Sequence, residues 1–353
     1  MIIKSNVLAA ALKQLKSVTP PTSMMKTPGI LISNGRAVST NGELTVSVKL
    51  DISDSERFVI PLQAVQMIDT LPPNDIEIKQ SGGRIKITAK GIQSVFNTVD
   101  PDKYPTMPEE WKGLTNDEVE VLSGDDFAVT VAGVMHATAN DATKPVFNCI
   151  HIETEDGTLN TVACDGFRIA WNCMPALADM CFNIPKKAIS TMLSLGTAGD
   201  LRIAKGATNV AVFEFDNHTV ITQIVSGNFI AYRTLFKGDS AKHVVLNREK
   251  ALKSIGRSVM ISDGIPKVNV KGKDDKATLN ISANCTFAEF DEDVAYESGD
   301  FDSSVKFCVN PKYVVDALKA ISTSDALVQF TGELSPILIT GGTLKQLIQP
   351  MRS

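Results

Sequence analysis

Phe58-Val59-Ile60-Pro61, Phe182-Asn183-Ile184-Pro185 and Phe307-Cys308-Val309-Asn310-Pro311 are three versions of one phrase, an apolar strand that runs into a proline. Their phenylalanines lie 124 and 125 residues apart. A proline in the first turn of a helix loses no intrahelical hydrogen bond and already has a helical φ. Each phrase therefore predicts a strand followed directly by a helix. Three copies at one interval indicate a triplicated unit of domain size.

Each unit is predicted to contain a helix, strands, a second helix and more strands. Alternating apolar and polar residues predict strands such as 44–50 and 76–79. Helices are predicted over residues 6–17, 62–71, 125–139, 186–195, 248–261 and 312–321. The predicted fold class is α+β, with three domains over residues 1–117, 118–242 and 243–353. The Pro-rich and charged segment 101–116 and the segment 237–242 are interpreted as linkers.

Short phrases outside the strand–proline motif also recur. Asn41-Gly42-Glu43-Leu44 is interpreted as the counterpart of Asp156-Gly157-Thr158-Leu159 and, more weakly, of Lys276-Ala277-Thr278-Leu279. A β-rich phrase at 95–99 precedes Tyr104, and a similar phrase at 220–224 precedes Phe229. Asn-Gly and Asp-Gly pairs between apolar runs are typical of hairpin turns. The units are therefore expected to share their hairpins as well as their helices.

Composition favours a soluble protein with three cores of ordinary size. The chain has 353 residues, of which 43% are hydrophobic. No apolar run approaches the ~20 residues of a membrane span, and the first residues do not resemble a signal peptide. The six cysteines include no CxxC pair, and four of them fall in the middle unit. Buried free thiols in a reducing cytoplasm are therefore expected, with no membrane partner.

The predicted helices carry a net charge opposite in sign to that of the rest of the chain. The whole chain carries −5, but the six predicted helices with their flanking residues carry +6, which leaves −11 for everything else. Basic helices on an otherwise acidic body favour one positive surface. The alternative is that surface helices contain lysine for helix propensity alone.

Catalytic motifs are absent from the sequence. It has no GxxxxGK[ST] or GxGxxG phosphate loop and no GxSxG elbow. His151-Ile152-Glu153 matches half of a zinc deaminase site, but the CxxC half is missing, so His151 is interpreted as a residue on a strand surface. The acidic runs Asp125-Asp126 and Asp291-Glu292-Asp293 are interpreted as a helix N-terminal charge and a solvated turn, respectively. We predict no catalytic residue, no metal and no cofactor.

Two segments are predicted to serve recognition. Cys164-Asp165-Gly166-Phe167-Arg168-Ile169-Ala170 interrupts a strand region with a turn and presents an aromatic side chain beside an arginine. The segment Leu347-Ile348-Gln349-Pro350-Met351-Arg352-Ser353 is apolar and contains a proline. It is expected to complete a sheet in the third unit and to pack or recognise a partner.

Over its whole length the chain resembles the DNA polymerase III β subunit family, the bacterial sliding clamps. The family motif Thr-Asp-Gly-His-Arg-Leu-Ala matches Cys164-Asp165-Gly166-Phe167-Arg168-Ile169-Ala170. The family ending Met-Pro-Met-Arg-Leu matches Gln349-Pro350-Met351-Arg352-Ser353. Two further motifs, Asn-x-x-Tyr-Val and Phe-Pro-x-Tyr-Arg, match Asn310-Pro311-Lys312-Tyr313-Val314 and Phe229-Ile230-Ala231-Tyr232-Arg233.

The resemblance implies a head-to-tail homodimer that closes a ring of six similar domains, with helices around the hole and sheet outside. Such a ring encircles duplex DNA through contacts to phosphates and reads no bases. It is a processivity factor for a replicative polymerase and not an enzyme. The residues that would face DNA are Lys13, Lys16, Lys26, Lys144, Lys186, Lys187, Arg248, Lys250, Lys253, Arg257, Lys312 and Lys319. The residues implied at the dimer interface are Phe96, Val259 and Met260.

The family binds short linear peptides of the polymerase and the clamp loader in a cleft between its second and third domains. A mostly apolar groove with a few polar anchors suits such peptides. Carried over position by position, the cleft residues are Phe147, Cys164, Gly166, Phe167, Arg168, Ile169, Ile230, Thr234, Leu235, Asn310, Tyr313, Pro336, Leu347, Gln349, Pro350, Met351 and Arg352.

The cleft departs from the family pattern at four positions. Phe167 replaces His, Ile230 replaces Pro, Gln349 replaces Met and Ser353 replaces Leu. These departures leave the preferred peptide open and are compatible with a clamp that has a dedicated partner, such as one carried by a phage or mobile element. The alternative functions are a monomeric three-repeat β-rich protein that binds another polymer or protein, and an enzyme whose site residues are unpaired in sequence.

Overall fold

The structure is a computed structural model, and it describes residues 1–52, 56–105, 119–140, 143–206, 209–237, 242–261, 266–274 and 277–352. The chain forms two compact units. One contains Met1–Asp125 and Lys187–Ile224, and the other contains Asp126–Lys186 and Val225–Ser353. Most of each predicted linker lies outside the described residues, as does Ser353. The predicted three-domain boundaries near 118 and 243 therefore stay a prediction.

The six predicted helices are present within a few residues of their expected ends. They are α1 (Ser5–Leu15), α2 (Leu62–Asp69), α3 (Gly124–Met135), α4 (Lys186–Leu195), α6 (Arg248–Ser258) and α7 (Pro311–Ala320). A seventh, α5 (Tyr232–Leu235), is a single turn that periodicity did not predict. No helix in the described parts of the chain is both long and apolar enough to cross a membrane.

The strand–proline motif forms the predicted strand–helix junction in all three copies. Its phenylalanines Phe58, Phe182 and Phe307 are buried. Pro311 occupies the first turn of α7, where Asn310 caps the helix by accepting a hydrogen bond from Lys312 N at 3.0 Å. Pro61 and Pro185 differ from the prediction, because each is the last strand residue and the helix begins one residue later. Their fixed φ fits the extended strand as well as a helix.

The described strands form four antiparallel sheets, two in each unit. The first unit has an eight-stranded sheet ordered β5-β2-β3-β4-β16-β15-β14-β9 and a four-stranded sheet ordered β1-β6-β7-β8. Its strands are β1 (Ile2–Lys4), β2 (Gly29–Ser33), β3 (Arg36–Thr40), β4 (Leu44–Lys49), β5 (Phe58–Pro61), β6 (Asp75–Ser81), β7 (Arg84–Ala89), β8 (Ile92–Asn97), β9 (Val119–Ser123), β14 (Asp200–Gly206), β15 (Val210–Phe215) and β16 (His218–Gln223).

The second unit repeats this arrangement with other strands. Its sheets are ordered β13-β10-β11-β12-β25-β24-β23-β17-β21 and β20-β19-β18-β22. Its strands are β10 (Cys149–Glu155), β11 (Thr158–Cys164), β12 (Arg168–Pro175), β13 (Cys181–Pro185), β17 (Lys242–Asn247), β18 (Val268–Gly272), β19 (Thr278–Cys285), β20 (Ala288–Ala295), β21 (Ser298–Gly299), β22 (Lys306–Val309), β23 (Asp325–Phe330), β24 (Ile337–Gly341) and β25 (Leu344–Ile348).

The order of elements repeats three times, and each repeat contributes two half-sheets. We call the four-stranded sheet formed between its helices the first half-sheet, as in β5-β2-β3-β4. In the third repeat the two-residue strand β21 also lies between the helices, but it pairs with β17 instead. The strand before the first helix joins the three strands after the second helix to form the second half-sheet, as in β1-β6-β7-β8. The second repeat supplies β13-β10-β11-β12 and β9-β14-β15-β16, and the third supplies β22-β18-β19-β20 and β17-β23-β24-β25.

First and second half-sheets of successive repeats are joined edge to edge. The first joint pairs β4 with β16, with Ser47 opposite Thr219. The second joint pairs β12 with β25, with Trp171 opposite Lys345. The segment near residue 347 therefore completes a sheet as predicted, and that sheet is shared by the second and third repeats.

The hairpin turns recur, but one predicted correspondence is wrong. Asp156-Gly157 joins β10 to β11, and its counterpart is Asn34-Gly35 between β2 and β3, where all four residues have positive φ. Asn41-Gly42 lies instead between β3 and β4 and corresponds to Asp165-Gly166. Both kinds of turn use an Asx-Gly pair because both require a left-handed residue, so sequence similarity alone matched the wrong hairpins. The third phrase includes Lys276, which lies outside the described residues.

Candidate functional site

The turn between β11 and β12 is built by Asp165 and Gly166. Asp165 Oδ1 accepts hydrogen bonds from the backbone N–H of Phe167 and of Arg168, both at 2.9 Å. Gly166 has a φ of +93°, which favours glycine. Phe167 at the turn is 63% exposed. The turn therefore holds an aromatic ring in solvent on a fixed backbone.

Arg168 is held by three groups from two elements. Its Nε donates to Asp165 Oδ2 at 2.9 Å and its Nη1 donates to Asp316 Oδ2 at 2.6 Å. Its guanidinium lies 4.4 Å from the centroid of the Tyr313 ring. Asp316 and Tyr313 are three residues apart on α7, so both face Arg168. This network fixes the end of β12 against α7.

Asp316 and His136 are members of this site that the sequence reasoning missed. Asp316 could have been found from its i+3 spacing to Tyr313 on a helix. Burial lowers the pKa of His136 to about 4, and Arg168 acts in the same direction. His136 is therefore neutral at pH 7, and it does not compete with Arg168 for the carboxylates.

An apolar cluster lies beside the Arg168 network. Its buried members are Val162, Cys164, Ile169, Tyr232 and Leu347, and partly buried Trp171, Phe229, Ile230, Phe236 and Leu338 pack against them. Burial raises the pKa of the Cys164 thiol, so it contributes a neutral wall at pH 7. Four of the predicted cleft residues, Cys164, Ile169, Ile230 and Leu347, are thus brought together.

The predicted C-terminal cleft residues extend this surface. Gln349 N donates to Phe167 O at 2.9 Å, which continues the second joint by one residue. Met351 N donates to Cys308 O at 2.7 Å, so the segment then turns to β22. Phe147 reaches the cluster through Phe229, with ring centroids 6.3 Å apart. Thr234, Leu235 and Pro336 are exposed in the same unit. The assignment of these residues to a peptide cleft stays a prediction.

The predicted DNA-binding side chains are mostly exposed on helices or just beside them. Lys250, Lys253 and Arg257 recur at helical spacing and are all exposed, so they share one face of α6. Arg257 is already paired with Glu292 of β20, and Lys250 lies 3.6 Å from Glu297. Lys186 and Arg248 are half-buried. The other exposed members, which form no ion pair with any residue in the described part of the chain, are Lys13, Lys16, Lys26, Lys144, Lys187, Lys253, Lys312 and Lys319.

His151 is buried, so its interpretation as a strand-surface residue was wrong. Its Nδ1 lies 2.9 Å from Asn183 Oδ1, and its ring stacks on Phe229 at 4.8 Å. Alternation along the strand did not reveal that the segment carrying Phe229 covers this face. Among the described residues, His151, Glu153 and Cys181 form the group whose donor atoms lie within 4.8 Å of one another. Arg233 and the Tyr232 hydroxyl already bind the Glu153 carboxylate, so a cation of the protein itself occupies that position.

The residues implied at a dimer interface lie near two sheet edges. Phe96 is on β8, which among the described strands pairs only with β7. Met260, just beyond α6, is 78% exposed. Ser254 and Arg257 of α6 bind Glu292, so this end of the helix lies beside β20. β20 is likewise an edge, paired with β19 alone among the described strands.

Known proteins match the chain over its length. Sequence profiles of the DNA polymerase III beta subunit match residues 121–230 with the central domain and residues 233–352 with the C-terminal domain. The beta sliding clamp of Staphylococcus aureus (strain Mu50) is 24% identical over 367 aligned positions, which cover 96% of this chain and 95% of that protein. The beta sliding clamp of Halalkalibacterium halodurans is 24% identical over 295 positions, covering 80% and 76%.

Solved structures share the fold. The beta subunit of DNA polymerase from Streptococcus pyogenes superimposes with a TM-score of 0.91 at 17% identity, covering 100% of this chain and 99% of that one. The DNA polymerase sliding clamp of Bacillus subtilis gives a TM-score of 0.90 at 19% identity, covering 100% and 98%. The predicted α+β clamp fold is therefore confirmed. With its two matching domain profiles and its full-length relatives, the chain belongs to the DNA polymerase III beta subunit family.

Proposed function

We propose that this protein is a DNA sliding clamp, a ring of two copies that encircles duplex DNA without reading its sequence and tethers a replicative polymerase in the cytoplasm. The observation that carries the proposal is a pair of half-sheets left unjoined within the described chain. Full-length similarity to proteins named beta sliding clamp supports the same function. Topology holds such a ring on DNA, so the proposal includes no catalytic step and no cofactor.

The two joints imply a third between copies. Each joint pairs the last strand of a first half-sheet with the last strand of the next repeat's second half-sheet. The third repeat's first half-sheet ends at β20, and the first repeat's second half-sheet ends at β8. Pairing β20 of one copy with β8 of the other would cover both edges and, by symmetry, close a head-to-tail dimer.

The repeats also give the register of the third joint. Ser47 and Trp171 occupy equivalent positions in the first half-sheets of their repeats. Thr219 and Lys345 occupy equivalent positions in the second half-sheets. The first and second joints therefore have the same register. The residue of the third repeat equivalent to Ser47 and Trp171 is Asp291 on β20. The residue of the first repeat equivalent to Thr219 and Lys345 is Gln93 on β8. Asp291 of one copy is therefore expected opposite Gln93 of the other.

The neighbouring pair in this register, Phe290 with Ser94, is suited to cross-linking. Its counterpart in the first joint is Val46 with Val220. Three residues along the same ladder, Gln223 N donates to Glu43 O at 3.0 Å, so Gln223 and Glu43 form a hydrogen-bonded pair. Because the two kinds of pair alternate along antiparallel strands, Val46 and Val220 form a non-hydrogen-bonded pair. Such pairs have the closest Cα atoms, about 4.5 Å apart, which suits a disulfide.

A Ser94→Cys/Phe290→Cys variant is expected to form a covalent dimer on mild oxidation, measured by non-reducing electrophoresis. Cys181, which is exposed, is replaced by Ser in every variant. The matched control is Ser94→Cys/Asp291→Cys, because a shift of one residue turns the second thiol to the opposite face of the sheet. Equal cross-linking of the two variants, or none in either, would contradict the register.

The DNA contacts are proposed to come from the exposed lysines on the helices. Lys253 is exposed on α6 and Lys312 on α7, and these two helices pack against each other. Contacts of this kind are to phosphates and release counterions, so they are independent of sequence and weaken with salt.

Lys253→Glu/Lys312→Glu is expected to weaken retention on DNA and to flatten its dependence on salt. Each lost phosphate contact removes about one unit from the slope of log affinity against log salt concentration. The matched control, Lys49→Glu/Lys205→Glu, makes the same change of net charge at exposed positions on strands β4 and β14. Filter binding of nicked circular DNA over a salt series measures both. The same slope for both variants would mean that Lys253 and Lys312 do not contact DNA.

The proposed partner site is the surface formed by Phe167, the Arg168 network and the apolar cluster. Its chemistry is one exposed aromatic ring, one arginine whose charge is balanced by two carboxylates, and buried apolar walls. This combination suits a short extended peptide with apolar anchors, as in linear motifs of a polymerase and a clamp loader.

A further inference from the structure

The turn between β3 and β4 has the same backbone construction as the turn that carries Phe167. Asn41 Oδ1 accepts hydrogen bonds from the backbone N–H of Glu43 at 3.0 Å and of Leu44 at 2.9 Å. Asp165 builds the turn between β11 and β12 in the same way. Glu43 therefore has the position in the first repeat that Phe167 has in the second.

The first joint continues from this turn as the second joint does. Gln223 N donates to Glu43 O at 3.0 Å, just as Gln349 N donates to Phe167 O at 2.9 Å. Glu43 is exposed, so the first joint presents a carboxylate where the second presents an aromatic ring. The two joints share a scaffold and differ in the chemistry that it carries.

A cavity of about 250 Å³ lies on this face of the first joint, within the first compact unit. Ile221 is opposite Thr45 and Val210 is opposite Gln223, so these side chains share one face of the sheet. Val210 and Ile221 are buried in one apolar cluster with Val212. The cavity therefore has an apolar floor.

Hydrogen-bond donors on the cavity wall are already bound. The backbone N–H groups of Glu43 and Gln223 are bound within the turn and the joint. Gly42 N donates to Thr40 Oγ1 at 3.2 Å, and the Thr45 hydroxyl donates to the same oxygen at 2.8 Å. These groups have no donor left for a ligand.

The side-chain oxygens of the wall are acceptors. Asn209 Nδ2 donates to Ile224 O at 2.9 Å and Gln223 Nε2 donates to Gly42 O at 3.3 Å, which fixes the orientation of both amides. No residue in the described part of the chain donates to the two amide oxygens or to the Glu43 carboxylate. Glu43 is also the one charged residue among those described in the lining. The cavity thus combines several acceptors with one negative charge.

We propose that this first-joint cavity binds the guanidinium of an arginine side chain in an extended segment of a partner protein. A guanidinium carries five N–H donors in a planar fork and no acceptor, and it pairs well with a carboxylate. Its methylene stem would pack on Val210 and Ile221. A cavity of about 150 Å³ already holds a benzene molecule, so the volume is sufficient. The shared scaffold with the proposed partner site favours a protein segment as the source of the arginine. The proposal does not depend on DNA encirclement.

The probe is a short blocked peptide with one arginine between two glycines. In one control citrulline replaces arginine, which keeps the shape and removes the charge, and in another lysine replaces it, which keeps the charge and removes the fork. The reporter is the methyl resonance of Met24, because a Cβ added to Gly42 would lie 2.8 Å from Met24 Cε. Its resonance is identified by its loss in Met24→Leu. The arginine peptide is expected to give a saturable shift, and the citrulline peptide to bind at least about tenfold more weakly. Equal affinity for the arginine peptide and either control overturns the proposal.

Two variants locate the binding. Glu43→Gln keeps the shape of the wall and removes its charge, while Gln223→Arg supplies a guanidinium from the chain itself. Both positions are exposed, so the fold is expected to survive. Each variant is expected to bind the arginine peptide at least about tenfold more weakly, and Glu249→Gln, at an exposed position on α6, is the matched control. Unchanged binding in either cavity variant overturns the proposal. Loss of binding in Phe167→Ala with full binding in Glu43→Gln would assign the probe to the second joint and overturn it equally.

Discussion

Met260→Glu is expected to convert the proposed dimer into a folded monomer. Met260 is 78% exposed just beyond α6, beside the β20 edge that the third joint would cover. Two copies of this interface close the ring, so the variant would bury an uncompensated charge twice. Leaving a charge unpaired in an interface costs about 3–5 kcal/mol at each site, which exceeds what a dimer of moderate affinity can lose. Light scattering with size-exclusion chromatography measures the mass against the 38.0 kDa of one chain.

Leu177→Glu is the matched control, since Leu177 is the more exposed of the two residues and lies away from the proposed edges. It is expected to leave the mass unchanged. Circular dichroism distinguishes a folded monomer from an unfolded chain. If the Met260→Glu variant keeps the mass of two chains, the interface lies elsewhere and the proposed third joint is wrong.

Phe167→Ala is expected to lower the affinity for a fluorescent peptide from the replicative polymerase by about thirtyfold or more, as measured by fluorescence anisotropy. Short extended peptides gain most of their affinity from a few buried apolar anchors, and truncating one typically costs 2 kcal/mol or more. Phe167 is the largest apolar side chain exposed at the turn, and its backbone is fixed by Asp165. DNA retention should be nearly unchanged.

Deletion of residues 351–353 is expected to have a similar effect, because it removes two of the proposed cleft residues. Leu177→Ala is the control for a lost exposed apolar side chain, and it should bind as the parent does. Since phenylalanine stands where the family has histidine, a generic bacterial clamp peptide is expected to bind more weakly than the peptide of this protein's own partner. Full affinity in both the Phe167 and the deletion variants would mean that peptides are recognised elsewhere.

Local features of the fold could be predicted from the sequence. The strand–proline phrase located the second helix of each repeat, because an apolar strand segment and the fixed φ of a proline are local signals. Asp165-Gly166 predicted a turn for the same kind of reason, since the Asx side chain binds its own backbone. The ambiguity between Asn41-Gly42 and Asn34-Gly35 has this origin too, because two turns with one local requirement look alike.

Contacts between distant residues could not be predicted in this way. Nothing local in Ser47 or Thr219 indicates that β4 pairs with β16, because the pairing depends on which edges the fold brings together. Arg168 was singled out from its turn and from the resemblance, while Asp316, 148 residues further along the chain, was missed. His151 was misjudged because the segment that covers it begins more than 70 residues later. The strand pairing and register proposed for the third joint could be derived only from the first two joints.

Release from DNA by linearisation is the most direct test of encirclement. The Ser94→Cys/Phe290→Cys protein is incubated with nicked circular duplex DNA and oxidised to cross-link both copies of the third joint. It is then washed in about 1 M salt, where phosphate contacts are screened. If the protein forms a ring around DNA, the cross-linked protein stays with the circle and is released when a restriction enzyme cuts it. Release by salt from the intact circle, or retention after linearisation, would contradict a ring around DNA.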